Sequence, residues 1–128
     1  MKNLVTRILR VASIMVVSCR EDYDMRKLPQ PFEDVGRQHP KVFQAYEALA
    51  AAAHEAGPLD QRTRRLVKLA IAIGARLEGA VRSHTWQAKE AGISEAEIDH
   101  VVLLALTTIG LPSMVAARTW VASALNEL

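Results

Sequence analysis

One stretch restricts the fold of this sequence more than any other, because Leu66 to Ala75 is apolar almost without interruption. Lys68 is its only charged residue, and Asp60, six positions before the stretch, is a good N-cap for a helix. The second half of the predicted helix has little polar surface on any side. A helix that is apolar nearly all round is a buried one, so we expect this segment at the centre of a helical core.

The rest of the sequence also contains start and stop signals for a series of helices. Ser94 and Glu97 form the pattern of a capping box, and Leu28 to Pro31 is predicted to be a loop because of its two prolines. Further helices are predicted between His39 and Gly57, from about Glu78 to Ala91, from Ser94 to Ile109, and from Pro112 towards Asn126. No strand signal or internal repeat interrupts this series, and the fold class is therefore predicted to be all-α.

Composition and charge indicate the number of domains and argue against nucleic-acid binding. The 128 residues suit one domain, half of them are apolar, and 16 basic and 14 acidic residues give a net charge of +2. The tightest basic group is Arg62, Arg64, Arg65 and Lys68, which we interpret as the solvated face of one amphipathic helix. No aromatic residues alternate with it, so nucleic-acid binding is not expected.

The N-terminus leaves two interpretations open. Residues 1–27 are predicted to be an N-terminal extension or an over-extended start, since Met25 opens a natural beginning. Alternatively, the short apolar run Val11 to Val17 followed by Cys19 resembles a lipoprotein signal, although it is far too short to span a bilayer. Cys19 is the only cysteine, which excludes an internal disulfide and favours a cytoplasmic location.

Several segments together resemble the carboxymuconolactone decarboxylase and alkylhydroperoxidase D superfamily. They are Leu59-Asp60, Leu66 to Ala75, Leu77 to His84, Ala88, Ala91-Gly92, Ile93 to Ile98, and Ile109 to Pro112. The resemblance covers most of the chain and implies an alkylhydroperoxidase D-like helical bundle, with the family domain at residues 28–128. It also implies a homo-oligomer, a trimer or hexamer, whose site histidine lies near a subunit boundary.

The redox motif of that superfamily is incomplete here. Its peroxidase members carry a glutamate, a Cys-x-x-Cys pair and a histidine, and the matching positions hold Arg65, Leu77, Ala80 and His84. Leucine and alanine offer neither a nucleophile nor a leaving group, so dithiol-dependent peroxide reduction cannot occur at this site. The decarboxylase branch of the superfamily also lacks the cysteines, keeps a histidine nearby, and needs no cofactor.

By this resemblance His84 is the candidate catalytic residue, as a proton donor or acceptor. Arg82, Arg65 and Arg76 are candidate clamps for substrate carboxylates, because a guanidinium binds a carboxylate in a bidentate fork. Glu78 pairs naturally with Arg82 at i,i+4, and Trp86 is a candidate edge of the substrate pocket. Each has a structural alternative: His84 as a packed histidine, Glu78 with Arg82 as a surface ion pair, and Trp86 as a core residue.

Two functions follow from this combination of residues. The first is a cofactor-free lyase acting on a small carboxylated lactone or a related acid. The second is a degenerate member of the peroxidase-like family, kept as a non-enzymatic oligomeric scaffold or small-molecule binder. No metal site is expected, since the four histidines lack the i,i+4 spacing with a carboxylate that a helical zinc site uses.

Overall fold

A computed structural model describes residues 30–128 of the chain. The predicted extension over residues 1–27 and Cys19 lie outside these residues. The helices are α1 (Gln30–Gln38), α2 (Pro40–Glu55), α3 (Gln61–Gly74), α4 (Glu78–Glu90), α5 (Glu95–Leu104), α6 (Leu106–Ile109) and α7 (Leu111–Asn126). Every regular element within residues 30–128 is a helix, which confirms the all-α prediction. None of these helices is long and apolar enough to cross a membrane.

The chain forms two compact units that meet in sequence at Gly57 and Pro58. The described part of the first unit is a pair of helices, α1 and α2, joined at His39, whose amide donates to the carbonyl of Val35 at 2.8 Å. Three aromatic rings hold this pair together. The ring of Phe32 on α1 lies edge-on at 5.3 Å from that of Phe43 and at 5.6 Å from that of Tyr46 on α2.

Helix α1 corrects the predicted loop at Gln30 and Pro31, while Leu28 and Pro29 lie outside the described residues. The structure begins a helix at Gln30, with Pro31 in its first turn. A proline is tolerated there because the first amides of a helix have no intrahelical acceptor, and its fixed φ suits the helix. Pro31 therefore lies in the first turn of a helix and does not break it.

The second unit, from Pro58 to the C-terminus, contains a core contributed by α3, α4, α5 and α7. Its largest fully buried side chains include those of Leu69, Ile73, Val81, Ile98 and Val102. Burying a leucine, isoleucine or valine side chain contributes about 1.5–3 kcal/mol each, so these residues supply much of the stability of the unit. Helix α4 lies between α3 on one side and α7 on the other, and contacts both extensively.

The predicted N-caps of the second unit are confirmed. The carboxylate of Asp60 accepts a hydrogen bond from the amide of Thr63 at 2.8 Å, and this bond lowers the pKa of Asp60. Ser94 and Glu97 form the predicted capping box, in which each side chain accepts from the backbone amide of the other. Both caps satisfy amides that the first turn of a helix leaves without intrahelical acceptors.

Two predictions for the apolar helices need correction. The helix predicted through Ile109 divides at Ala105 into α5 and α6. Helix α3 buries Leu69 and Ile73 but exposes Ile71, so it is not enclosed on all sides within one chain. The apolar residues on every side of α3 therefore do not mean complete burial. One face of the helix packs in the core, and another apolar face points away from it.

Candidate functional site

The turn between α3 and α4 sets the direction in which the candidate site helix begins. The amide of Arg76 donates to the carbonyl of Ile73 at 3.0 Å, and the amide of Leu77 donates to that of Ala72 at 3.1 Å. These two bonds form a Schellman motif, which requires a left-handed residue after the helix. Arg76 occupies that position with φ of 57°, and α4 begins two residues later at Glu78.

The two positions that match the cysteines of the redox motif flank the start of α4. Leu77 is its N-cap residue and is largely exposed, while Ala80 is half-buried against the core. An aliphatic N-cap side chain forms no capping hydrogen bond, and Leu77 forms none. Neither of these two side chains carries a thiol.

His84 lies in the middle of α4, beside its buried stripe. Val81, Thr85 and Ala88 form that stripe, and the hydroxyl of Thr85 donates to the carbonyl of Val81 at 2.8 Å. His84 itself is half-buried, and its Nδ1 atom is inaccessible to solvent. A histidine with one enclosed ring nitrogen is held in place by its surroundings, which is what a proton-transferring group requires.

Arg65 brings a buried cation to the α3 side of α4. Its side chain is only 6% exposed, and its guanidinium donates to the side-chain carbonyl oxygen of Gln87. The amide nitrogen of Gln87 in turn donates to the hydroxyl of Ser83 at 3.2 Å. Gln87 follows His84 by three residues, which places the two on the same side of the helix. The partner of Arg65 and the candidate catalytic residue His84 therefore share one side of α4.

Lys68 adds a second cation beside Arg65. It lies one turn further along α3 and is half-buried. Burial, and to a smaller degree the positive charge of Arg65, lower the pKa of Lys68 below its ordinary value. Two neighbouring cations removed from water favour an anion between or beside them, because each is less well solvated than on an open surface.

Arg82 and Trp86 lie on the other side of α4, against α7. The guanidinium of Arg82 donates to the hydroxyl of Ser123 at 3.0 Å, forms an ion pair with Glu127, and lies 5.9 Å from the ring centre of Trp86. The indole nitrogen of Trp86 donates to the carbonyl of Ala124 at 2.9 Å. These contacts attach the end of α7 to α4.

The predicted substrate residues thus form two groups within one chain. Two residues along a helix correspond to a rotation of about 200°, so Arg82 and Trp86 point away from His84. Glu78 is exposed one turn before Arg82, whose acidic partner is Glu127. Gln87, which accepts from Arg65, lies on the same side of α4 as His84. Contact of any of these residues, or of Arg76, with a substrate stays a prediction.

The basic run of α3 does not form one uniformly solvated face. Arg62 is exposed and forms an ion pair with Glu97, whereas Arg65 is buried. Sequence reasoning also gave no role to Gln87, Ser83 or Lys68. A usable signal was present, since Ser83 and Gln87 are polar residues four apart on the α3 side of the helix that carries His84.

Within residues 30–128, no three histidine, cysteine, aspartate or glutamate side chains lie close enough together to hold a metal ion. His39 and His100, two of the histidines set aside on sequence grounds, are exposed. The polar groups of the α3–α4 interface are instead cations, an amide, a hydroxyl and an imidazole. Such a set can bind an anion and move a proton.

A known protein and a known protein family are similar to this chain in sequence. A protein of Haemophilus influenzae, named only as uncharacterized, is 46% identical over 57 residues, which are 44% of this chain and 50% of that protein. The chain therefore spans about half the length of this relative. No solved structure matches the chain significantly. The sequence profile of the carboxymuconolactone decarboxylase family matches residues 40–123, a stretch that includes α2 to α6 and most of α7. The chain belongs to the carboxymuconolactone decarboxylase family.

Proposed function

We propose that this protein is a cofactor-free lyase that acts on a small carboxylated lactone or a related acid. The observation that carries the proposal is a buried cation, Arg65, whose hydrogen-bond partner Gln87 lies on the same side of α4 as His84. Decarboxylation needs a cation to hold the acid and a proton donor at the carbon that loses carbon dioxide. Both groups are present, since Arg65 is buried and His84 is half-buried.

Arg65 and Lys68 supply the anion-binding part of this site. A guanidinium carries five N–H donors in a planar fork, so Arg65 can bind a carboxylate while it keeps its hydrogen bond to Gln87. Gln87 and Ser83 hold the guanidinium in one orientation, which lowers the entropy lost when a substrate binds. Lys68 adds charge without a fixed direction.

His84 supplies the proton. As the bond from carbon to carboxylate breaks, its electron pair moves onto the adjacent carbon and carbon dioxide leaves. The imidazolium of His84 then donates a proton to that carbon, and solvent reprotonates the ring. A positioned general acid of this kind contributes about 10²–10⁴-fold to the rate.

The test combines product release with binding. We expect release of carbon dioxide from a carboxylated γ-lactone to fall by about two orders of magnitude or more in His84→Ala, while the thermal shift produced by the substrate persists. Arg65→Gln should weaken that thermal shift. Two variants are matched controls: His100→Ala removes an exposed histidine and Arg118→Gln an exposed arginine, and neither should change binding or turnover.

A second candidate function is a non-enzymatic small-molecule binder or oligomeric scaffold. Its support is the exposed apolar surface of Ile71, Leu103 and Leu104, which suits a protein that assembles with copies of itself. The same experiment separates the two functions. Thermal shifts with small carboxylates that depend on Arg65, without any release of carbon dioxide, would favour the binder, whereas no shift and no turnover would refute both ligand-based functions.

We further propose that the protein assembles as a homo-trimer or homo-hexamer. Family membership implies such an assembly, and closed symmetry covers exposed apolar surface without forming open fibres. Light scattering of the purified protein measures the mass directly. A stable monomer at micromolar concentration would contradict it.

A further inference from the structure

Lys68 lies at the edge of the core-facing side of α3. It follows the buried Arg65 by three residues and comes directly before the buried Leu69. Successive residues of a helix are about 100° apart, so Lys68 is about 60° from Arg65 around the helix. Arg62, which pairs with Glu97 on α5, is about 60° from Arg65 in the opposite sense. Lys68 therefore lies on the flank of α3 that is turned away from α5.

Helices α3 and α4 form an antiparallel hairpin, which sets the level of Lys68 along it. Three residues separate the two helices, and the helices contact each other extensively. Arg65 donates to Gln87, and each is eleven positions from Arg76 in the turn. Contacts at equal distances from a short turn are what two antiparallel helices produce. Lys68 and His84 are each eight positions from Arg76, so they lie at about the same level along the hairpin.

His84 is also on the appropriate side of α4. It precedes Gln87 by three residues and is about 60° from it around the helix, whereas Arg82 donates to a residue of α7 on the other side. His84 therefore lies on the side of α4 that contacts α3 through Gln87. The level that it shares with Lys68 is about 4.5 Å nearer the turn than the hydrogen bond from Arg65 to Gln87.

The surroundings of Lys68 favour the neutral form of its amine. Burial, followed by the positive charge of Arg65, lowers the pKa of Lys68 below its ordinary value. Only the neutral amine can attack a carbonyl carbon, and desolvation or a neighbouring cation activates a lysine in this way. The side chain is half-buried and not enclosed, so a small molecule can reach it. A lysine of this kind is a candidate for covalent chemistry with a carbonyl compound.

We propose that Lys68 forms a Schiff base with the keto group of a 3-oxo acid whose carboxylate binds Arg65. The inference rests on the proposed lyase function and names the class of acid on which that site acts. In a 3-oxo acid one carbon separates the keto carbon from the carboxylate. Lys68 and Arg65 are one turn apart on the same helix, so a small acid can contact both. The keto group is needed because an imine at that position accepts the electrons that decarboxylation releases.

The reaction uses the groups of the chain and water alone. The amine of Lys68 adds to the keto carbon, takes up a proton and loses water, which gives a protonated imine that keeps a positive charge at this position. The bond to the carboxylate then breaks, carbon dioxide leaves, and the electron pair neutralises the imine nitrogen to form an enamine. His84 donates a proton to the carbon that lost the carboxylate. Water hydrolyses the imine that results, which releases a ketone and the proton taken up at the start and restores Lys68.

Borohydride trapping tests the Schiff base directly. Borohydride adds hydride to the imine carbon and so fixes the bound group to the lysine as a secondary amine. We expect the full chain, treated with acetoacetate and borohydride, to gain one such group by mass spectrometry, and peptide mapping to place it on Lys68. Lys68→Arg keeps the charge but not the nucleophile. It should abolish the labelling and lower the release of carbon dioxide to the uncatalysed rate, while the thermal shift produced by acetoacetate persists.

A second lysine provides the matched control. Lys89 is also half-buried and pairs with Glu95, so Lys89→Arg should keep the labelling and turnover of wild type. Circular dichroism verifies that both variants fold, and the position of the wild-type label tests the proposal even where Lys68→Arg does not. Absence of labelling in wild type, labelling spread over several lysines, or labelling that survives Lys68→Arg would overturn the proposal.

Two results separate this inference from the proposed function. Release of carbon dioxide from a carboxylated lactone that Lys68→Arg leaves unchanged, without labelling by acetoacetate and borohydride, would support the lyase and overturn the Schiff base. Labelling confined to Lys68, without release of carbon dioxide from either acid, would support the Schiff base and refute the lyase.

Discussion

Two helices of this protein end in the same Schellman motif, but with different residues in the left-handed position. After α4 the residue is Gly92, whose amide donates to Lys89 at 3.0 Å, with φ of 78°. After α3 it is Arg76, with φ of 57°. For a residue with a Cβ this conformation costs about 1–2 kcal/mol of strain, whereas glycine adopts it freely. We therefore expect Arg76→Gly to stabilise the protein.

The size of the effect follows from two opposing terms. Relief of the left-handed strain contributes about 1–2 kcal/mol, and the greater freedom of glycine in the unfolded chain costs about 0.5–1 kcal/mol. The net increase in the free energy of unfolding is about 0.5–1 kcal/mol. The side chain of Arg76 does not offset this gain, because it is exposed and forms no hydrogen bond or ion pair within residues 30–128.

Urea unfolding followed by circular dichroism measures the change, with two substitutions as controls. Arg76→Ala keeps the left-handed Cβ and should leave the free energy of unfolding within a few tenths of a kcal/mol. Gly92→Ala should lower it by about 0.5–1 kcal/mol, and through the backbone alone, since a Cβ at Gly92 would meet no atom within 4 Å. An Arg76→Gly variant that is no more stable than wild type, or an Arg76→Ala variant with a clear loss, would refute the argument.

Two further predictions concern α5 and the start of α4. The hydrogen bond from Arg62, followed by the amide of Ser94, lowers the pKa of Glu97 to about 2. A carboxyl whose pKa is lowered in the folded state stabilises that state at pH values above its ordinary pKa of 4.5, and this stabilisation is lost as the pH falls towards 2. Glu97→Gln should therefore lower the melting temperature at pH 7, and the melting temperatures of the variant and of wild type should converge at pH 2. Second, the protein should show no hydroperoxidase turnover with a dithiol reductant, because Leu77 and Ala80 occupy the cysteine positions. Turnover in a peroxide-consumption assay would contradict this.

The helix ends that the sequence predicts correctly are those that carry a local start or stop signal. Asp60 and the Ser94–Glu97 capping box begin helices where expected, and Gly92 ends α4 as expected. These signals act locally, through hydrogen bonds within one turn, so they can be read without knowing the tertiary structure. Arg76 gave no such signal, because a left-handed arginine depends on the surrounding structure to hold it there.

Burial was less predictable than secondary structure, as Arg65 shows. Its basic neighbours Arg62, Arg64 and Lys68 are exposed or half-buried, and charge patterning alone favours a solvated face for the whole run. The periodicity of α3 nevertheless places Arg65 four residues before the buried Leu69, on the core side of the helix. Position around the helix decided its burial, and the hydrogen bond to Gln87 makes that burial tolerable. The pairing of those two residues could not be read from either helix alone.

The division of α4 into two polar sides gives the candidate residues different physical roles. Arg82 and Trp86 already have hydrogen-bond acceptors on α7, so a substrate that used them would compete with contacts that attach the last helix. Arg65 donates to a neutral amide, and a carboxylate would be a stronger acceptor for the same group. A carboxylate bound at Arg65 would meet a guanidinium that donates to a neutral amide, whereas binding at Arg82 would replace the carboxylate of Glu127 with another. This difference, more than distance from His84, is why the α3–α4 side of the helix is the better candidate site.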